Sequence, residues 1–241
     1  MNSYLIDDMV KDVRIAIDNN TEDKELLEFA DTDTLMLQDI VRAKVVDAAN
    51  MIVRDAPVDM LDGGVVADLK GKVKLNKVYD TDTMQYAVVR LDRSFMRLVS
   101  FRMGDWSMAV TEAISPDSAL YAMQRSRIEG VRGNKERPVV AVVPSNVTGG
   151  YDLEAYSTKS DNALMTYMPY ASLSSDGASI ELPVHLYSAI VYATAYLTAL
   201  AFGAGEQAAN LLRVAHELAH ISDAAPDYVQ QPQQPLQQEE Q

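Results

Sequence analysis

Three residues within a stretch of five near the carboxyl end have the types and spacing of a zinc site. His216, Glu217 and His220 form the pattern H-E-x-x-H, which metallopeptidases present on a helix, where residues four apart share a face. In that chemistry the two imidazoles bind Zn²⁺, and the glutamate is the general base for a zinc-bound water. A third protein ligand is also required. The candidates are His185, Asp223, Asp227, Glu239 and Glu240.

The helix expected around this pattern turns both histidines away from the protein core. Apolar spacing predicts a helix from Glu206 to Ser222, with Leu211 on its buried side. At about 100° per residue, the other inward residues are Ala215, Leu218 and Ser222. The outward residues are Arg213, His216 and His220. We therefore expect no catalytic site, no metal and no cofactor, and a small zinc metallopeptidase built on His216, Glu217 and His220 is the alternative.

The net charge is strongly negative and unevenly distributed along the chain. The 21 basic and 35 acidic residues give a formal charge of −14. Residues 1–60 carry 14 acids and 6 bases, residues 61–140 carry 10 and 13, and residues 141–241 carry 11 and 2. Because a broad nucleic-acid-binding face needs clustered Lys and Arg, sequence-specific DNA binding is disfavoured. The distribution fits complementary faces that meet a partner or a second copy, and it fits solvated faces of uneven charge equally well.

The basic centre of the chain is the part that we expect at such an interface. Nine Lys and Arg residues lie between positions 90 and 137, with few aromatic residues among them. A nucleic-acid groove is one interpretation, but against a charge of −14 we favour charge pairing between subunits. The predicted interface residues are Arg93, Arg97, Arg102, Arg125, Arg127, Leu182 and Tyr192.

Length and composition indicate a globular chain. The 241 residues, 48% of them hydrophobic, can form one large or two small domains with a buried core. Because the chain has no cysteine, disulfides, cysteine-ligated metals and a thiol nucleophile are excluded. Asp7, Asp8 and Asp12 interrupt the apolar core that a secretory signal needs, so we expect no export.

Hydrophobic periodicity predicts helices at both ends of the chain. Residues 1–60 contain a first helix, capped by Ser3 and running to about Asn19, and a longer amphipathic helix that Pro57 stops. Residues 181–225 form a helical hairpin that packs on these N-terminal helices. Residues 226–241 are a Gln/Pro-rich tail that we expect to be disordered.

Between the helices, residues 61–180 are a mixed, mostly β region. The runs with strand character are KVKLNKV, YAVVRL, LVSFRM, PVVAVVP, YDLEAYST and NALMTYMPY. One helix interrupts them, with Ser115 as its cap and Pro116 in its first turn. The predicted fold class is therefore α+β, a helical bundle from the N- and C-terminal helices with an inserted, mostly β region.

The uncharged stretch from Leu182 to Gly205 is long enough to cross a membrane. Its content of Pro, His, Ser, Thr and Tyr, and the lack of flanking Lys or Arg, argue against a membrane span. A helix that is apolar on all sides must then be buried by protein. We expect it to pack against the long N-terminal helix and against a neighbouring subunit, with no membrane as partner.

The order of these parts resembles the head–tail connector proteins of tailed bacteriophages. The runs RLVSFRMGDW, SALYAMQRSRIEGVRGNKERPVVAVV and LPVHLYSAIVYATAYL are similar to the ring or adaptor proteins of crAss-like and other short-tailed phages. The third run contains the pattern Leu182-Pro183-x-x-Leu186-x-x-Ala189-Ile190-x-Tyr192-x-x-Ala195. The resemblance covers about residues 1–225, and the family does not require the H-E-x-x-H pattern.

The resemblance implies a structural virion protein that performs no reaction. Such a protein forms a homo-oligomeric, dodecameric ring beneath the portal protein, contacts other neck or tail proteins, and surrounds the channel of the genomic DNA without reading its sequence. It is located at the head–tail junction of the virion and is assembled in the bacterial host cytoplasm. An acidic inner wall suits this role, because a conduit must not grip a sliding polyanion.

Overall fold

The fold combines helices from both ends of the chain with antiparallel sheets from its middle, which confirms the predicted α+β class. The structure is a computed structural model, and it describes residues 1–19, 34–77, 85–128, 130–145 and 150–222. The tail predicted at 226–241 lies outside these residues.

Five α-helices and nine strands are described. The helices are α1 (Ile6–Asn19), α2 (Thr34–Asp55), α3 (Ala119–Met123), α4 (Tyr187–Ala201) and α5 (Gly205–Leu218). The strands are β1 (Asn2–Leu5), β2 (Val65–Val66), β3 (Val73–Lys77), β4 (Gln85–Arg90), β5 (Phe95–Met103), β6 (Val140–Pro144), β7 (Tyr151–Tyr156), β8 (Ala163–Pro169) and β9 (Ser179–Leu182).

Helix α4 is the centre of the helical layer. It contacts α1 and α2 as well as α5, the other helix of the C-terminal hairpin. Ala189, Ala193 and Ala195 are fully buried, and their small side chains allow the helices to approach closely. Opposite them, α2 buries a stripe at helical spacing that includes Val45 and Ile52.

The chain begins with a strand where the sequence predicted the first turn of a helix. Ser3 lies in β1, opposite Glu181 of the antiparallel strand β9, so its predicted role as a helix cap is wrong. Helix α1 starts at Ile6 instead. The backbone groups of residues 2–5 are satisfied by a segment far away in the sequence, and local periodicity does not reveal such a partner. Leu182, expected in the hairpin helix, is the last residue of β9.

The strands in the middle of the chain form two sheets. Sheet 1 has the order β2-β8-β5, and sheet 2 has the order β3-β4-β7-β6, with all neighbours antiparallel. The six predicted strand runs correspond to β3 to β8. The short strands β2 and β9 were not predicted. The helix predicted after Ser115 is reduced to the five residues of α3.

Sheet 1 lies between the helices and sheet 2. Val99 of β5 is buried in the core of the helical layer, whereas Phe95 and Phe101 of the same strand are buried in the core against sheet 2. Two irregularities of register in β5 accompany this change of face. Leu153 and Ala155 of sheet 2 belong to the second core. Helices, sheet 1 and sheet 2 are thus three successive layers.

Candidate functional site

The outer face of sheet 2 carries a fourth layer, formed by residues 115–128 and 130–137, which we call the basic segment. Five of its residues are Lys or Arg and two are acidic. Glu154 and Tyr156 alternate along β7 with the inward Leu153 and Ala155, so they point away from the core between the sheets. Tyr121 of α3 donates a hydrogen bond to Glu154 Oε2 at 3.1 Å. The basic segment therefore lies on the side of sheet 2 opposite the helices.

Serine side chains set the short length of α3. Ser118 is its N-cap, and the Ser118 hydroxyl accepts a hydrogen bond from the amide of Leu120 at 3.2 Å. Ser115, the predicted cap, accepts from the amide of Asp117 in the preceding turn. Beyond the helix, the Ser126 hydroxyl accepts from the amide of Ile128, and this local bond competes with continued helix.

A buried carboxylate holds the basic segment to the sheet. Glu154 is 8% exposed and also accepts a short hydrogen bond from the Tyr156 hydroxyl. Burial, followed by the hydrogen bond to Glu154, raises the pKa of Tyr156 well above its ordinary value, and burial followed by the negative charge of Glu154 raises the pKa of Tyr121. Both phenols therefore stay protonated and remain donors to this carboxylate.

A second set of bonds closes the loop that follows α3. Gln124 is 3% exposed, and its Oε1 accepts from the amide of Gly133 at 2.8 Å. The carbonyl of Gly133 accepts from the Ser157 hydroxyl. A Cβ on Gly133 would lie 2.8 Å from a methyl group of Val139, so this close approach requires glycine. Lys135 Nζ lies 2.9 Å from Asp105 Oδ2, which joins the end of the segment to the turn after β5.

The outward face of α3 combines apolar and cationic side chains. Leu120 and Met123, one helical turn apart, are 52% and 42% exposed, and Ile128 just beyond them is 67% exposed. Arg125 and Arg127 are exposed beside them, with the Arg125 guanidinium 5.8 Å from the centre of the Tyr121 ring. Such a surface suits an apolar partner with acidic groups at its edge.

A groove between α1 and α4 has the complementary character. It is open to solvent, has a volume of about 180 Å³ and is lined by Asp12, Ile15, Ala16, Tyr187, Ser188, Val191 and Tyr192. The Tyr187 hydroxyl donates to Asp12 Oδ2 at 2.6 Å, and the Tyr187 ring stacks on Tyr4 with centroids 4.2 Å apart. Burial first, and then Asp12, raise the pKa of Tyr187, which keeps this phenol a donor.

The predicted interface residues fall into three groups. Arg93, Arg125 and Arg127 are exposed, and the half-buried Tyr192 lines the α1–α4 groove. Arg102 is exposed but donates from Nε to the carbonyl of Trp106 at 3.2 Å. Two residues contribute to the fold of a single chain: Leu182 is fully buried in the helical core, and Arg97 contacts α2.

Arg97 joins the helical layer to sheet 1. From β5, its Nη1 donates to the carbonyls of Val53 and Arg54 at 3.3 and 3.2 Å, and more closely to that of Ala56. These carbonyls belong to the last turn of α2 and to the residue that follows the helix, where backbone acceptors have no partner within the helix and the helix dipole is negative. Burial lowers the pKa of Arg97, and Asp55 and Glu112 oppose that shift.

The helix expected to carry the whole H-E-x-x-H pattern ends inside it. Helix α5 stops at Leu218, and His220 has a left-handed backbone with φ of +53°. The amide of His220 bonds the carbonyl of Glu217, and the amide of Ile221 bonds that of His216, which is a Schellman cap. The prediction that both histidines lie on one helical face is therefore wrong. Leu218, predicted inward, is 39% exposed, whereas Ala215 is buried as predicted.

No third metal ligand joins the pattern within the part of the chain that the structure describes. Among those residues, no group of three His, Cys, Asp or Glu side chains is close enough to hold a metal ion. Glu217 instead forms an ion pair with Arg213 one turn earlier, at 2.5 Å.

One described segment, Val184–Ala201, is long and apolar enough to cross a membrane, and half of it is buried inside the protein. It consists of a short 3₁₀ turn followed by α4, which contacts three other helices. Core helices also pass this test of length and composition.

Sequence reasoning missed the groups that build the two complementary surfaces. Glu154 was visible only as the polar position in an alternating strand, and nothing in that pattern indicates that a short helix covers it. Asp12 and Ile15 were predicted to lie in the first helix, but the sequence did not indicate which element lies beside them. No protein-family model matches the chain, and no curated protein is significantly similar to it.

Proposed function

We propose that this chain is a structural subunit of a ring at the head–tail junction of a tailed bacteriophage, located beneath the portal. In this role it links the capsid to the tail and surrounds the DNA channel, and no catalytic step is involved. The observation that carries the proposal is the order of the layers. The α1–α4 groove belongs to the first layer and the basic segment to the fourth, with two sheets between them.

Complementary surfaces on opposite sides of one protomer favour head-to-tail assembly. Such a contact uses two different patches, so a pair of copies retains one unused patch of each kind and can add another copy. Identical head-to-tail contacts form a closed ring when the repeated rotation from one copy to the next returns to the first copy. When it does not, they form a filament. A ring is the form that the resemblance of the three sequence runs to phage connectors also implies.

The charge of the chain suits a conduit for DNA. A formal charge of −14 repels the phosphate backbone as a whole, so DNA can pass without being held. The exposed arginines of the basic segment lie on the surface that we propose to contact other protein subunits. We propose the portal protein and other neck or tail proteins as the partners above and below the ring.

The proposal is tested by imaging the purified full-length chain by negative-stain electron microscopy, alone and after addition of the portal protein. We expect rings of one uniform diameter with a central opening, on their own or stacked on the portal. A chain that remains monomeric in both samples at tens of micromolar would overturn the proposal. Filaments would preserve head-to-tail contact but exclude the ring.

A further inference from the structure

The two surfaces define a specific contact between neighbouring copies, and this inference rests on the proposed ring. We propose that the α1–α4 groove of one protomer receives the outward face of α3 from a second copy of this chain. In this contact Leu120 and Met123 enter the groove, and Arg125 and Arg127 face the carboxylates of Asp8 and Asp12.

The groove has room for apolar side chains. The α1–α4 groove is open to solvent and has a volume of about 180 Å³, whereas a cavity of about 150 Å³ is enough for a benzene molecule. Ile15 on its rim is 55% exposed, while Val191 in its floor is 5% exposed. An apolar side chain of the second copy that covers Ile15 would be removed from water together with Ile15. Burial of this apolar surface is the main source of free energy in such contacts.

The charge at the groove comes from α1. Helix α4 has no charged residue, whereas α1 carries Asp7, Asp8, Asp12 and Asp18 against Lys11 and Arg14. Asp8 and Asp12 are four residues apart and share a face with Ile15. Asp8 is paired with Lys11 at 2.8 Å in a highly exposed position, and Asp7 is paired with Arg42. Exposed pairs of this kind are weak and can exchange partners on binding.

The occupant is a second copy because α3 of the same chain is out of reach. Tyr121 of α3 is bonded to Glu154 on the outer face of sheet 2 of its own protomer. Sheet 1 separates sheet 2 from α1 and α4. The two patches of one protomer therefore cannot meet each other. The contact is also small compared with the area of about 800 Å² per partner in a stable interface, so it is the central anchor of a larger contact between protomers.

Charge reversal tests the pairing. One variant carries Asp8→Lys and Asp12→Lys, and the other carries Arg125→Glu and Arg127→Glu. We expect each variant alone to lose assembly in mass photometry at least tenfold relative to the unaltered chain. An equimolar mixture should recover it, because every contact in an alternating ring then joins opposite charges. The matched controls are Asp92→Lys with Asp161→Lys, and Lys70→Glu with Lys72→Glu, at exposed positions outside both patches.

Cysteine cross-linking tests the same contact without changing a charge. The chain has no cysteine, so introduced thiols are the sole reactive ones. We expect the variant Ile15→Cys/Met123→Cys to give a ladder of covalent oligomers under mild oxidation. The control variant Ile15→Cys/Leu164→Cys uses a residue of β8 that is 68% exposed, and it should give no ladder.

The outcomes separate the two proposals. Assembly of the unaltered chain, together with no ladder for Ile15→Cys/Met123→Cys and no effect of either charge reversal, would overturn the groove contact and leave the ring intact. Failure of the unaltered chain to assemble, both alone and with the portal protein, would overturn the ring itself. If a charge-reversed variant lacks the far-ultraviolet dichroism of the unaltered chain, the cross-linking result decides.

Discussion

Removal of the Arg97 guanidinium should uncouple the last turn of α2 from sheet 1. In Arg97→Ala, the carbonyls of Val53, Arg54 and Ala56 lose their cationic donor in a half-buried position. A hydrogen bond to a charged group is worth about 1.5–3 kcal/mol, and a cation at a helix C-terminus adds about 0.3–1 kcal/mol. Because one nitrogen serves all three carbonyls, we count one strong bond and expect a loss of about 2–3 kcal/mol.

The assay is unfolding in urea at pH 7, followed by circular dichroism, with thermal unfolding in parallel. A loss of about 2–3 kcal/mol corresponds to a fall in Tm of about 5–10 °C for a chain of this size. Arg97→Lys keeps the charge but not the planar group, so it should recover part of the loss. Arg93→Ala, at an exposed position in the turn before β5, is the control and should stay within about 0.5 kcal/mol of the unaltered protein. An effect of Arg97→Ala no larger than that of Arg93→Ala would refute the reasoning.

Three further predictions concern Asp105, His220 and Tyr121. Partial burial raises the pKa of Asp105, but bonds from Thr158, Lys159 and Lys135 outweigh it, and the net pKa lies below its usual value. Its stabilisation is therefore present above about pH 4 and lost as the pH falls through the folded-state pKa. Asp105→Asn should lower the free energy of unfolding by about 1–2 kcal/mol at pH 7, and a difference that persists undiminished at pH 2.5 would contradict this. His220→Gly should raise the free energy of unfolding by about 1 kcal/mol, because glycine adopts a positive φ without strain. If the variant is instead less stable and metal analysis shows that it has lost bound zinc, the result would support the peptidase alternative. Tyr121→Phe should speed tryptic cleavage at Arg125 and Arg127 several-fold, because one of the two donors to Glu154 is lost, and an unchanged digestion rate would show that Tyr121 does not hold the basic segment.

Strong local periodicity was sufficient to predict most elements of the fold. The alternation in YDLEAYST identifies β7, because Leu153 and Ala155 occupy the positions that face the core. The apolar stripe of α2 and the stop at Pro57 give that helix its length. In each case the buried residues repeat with the period of a strand or of a helix. The element can therefore be inferred without knowing which distant segment contacts it.

Elements that depend on distant partners were beyond local reasoning. Residues 2–5 form a strand because β9 supplies their hydrogen bonds, and nothing near Ser3 indicates this. Arg97 appeared as one of many surface arginines, whereas its role depends on the distance between β5 and the end of α2. The Schellman cap at His220 was missed because His is an uncommon choice at a position that usually takes glycine.

The candidate surfaces were predicted in part. The charge distribution singled out the region of Arg125 and Arg127, and the structure adds that these residues flank an outward apolar face on α3. The complementary groove was not predicted, because it exists only where α1 and α4 lie side by side and Tyr187 bonds Asp12. A sequence pattern can identify an amphipathic helix, but it cannot identify the space between two of them.

Mass photometry of the purified full-length chain, at increasing protein concentration, tests the central claim of head-to-tail closure most directly. The account predicts one dominant assembled species at a fixed multiple of the 26.6 kDa chain, near 320 kDa for the dodecamer that the connector resemblance implies, with few intermediates below it. A distribution that remains at the monomer, or that stops at a dimer, at every concentration both alone and with the portal protein would contradict the account.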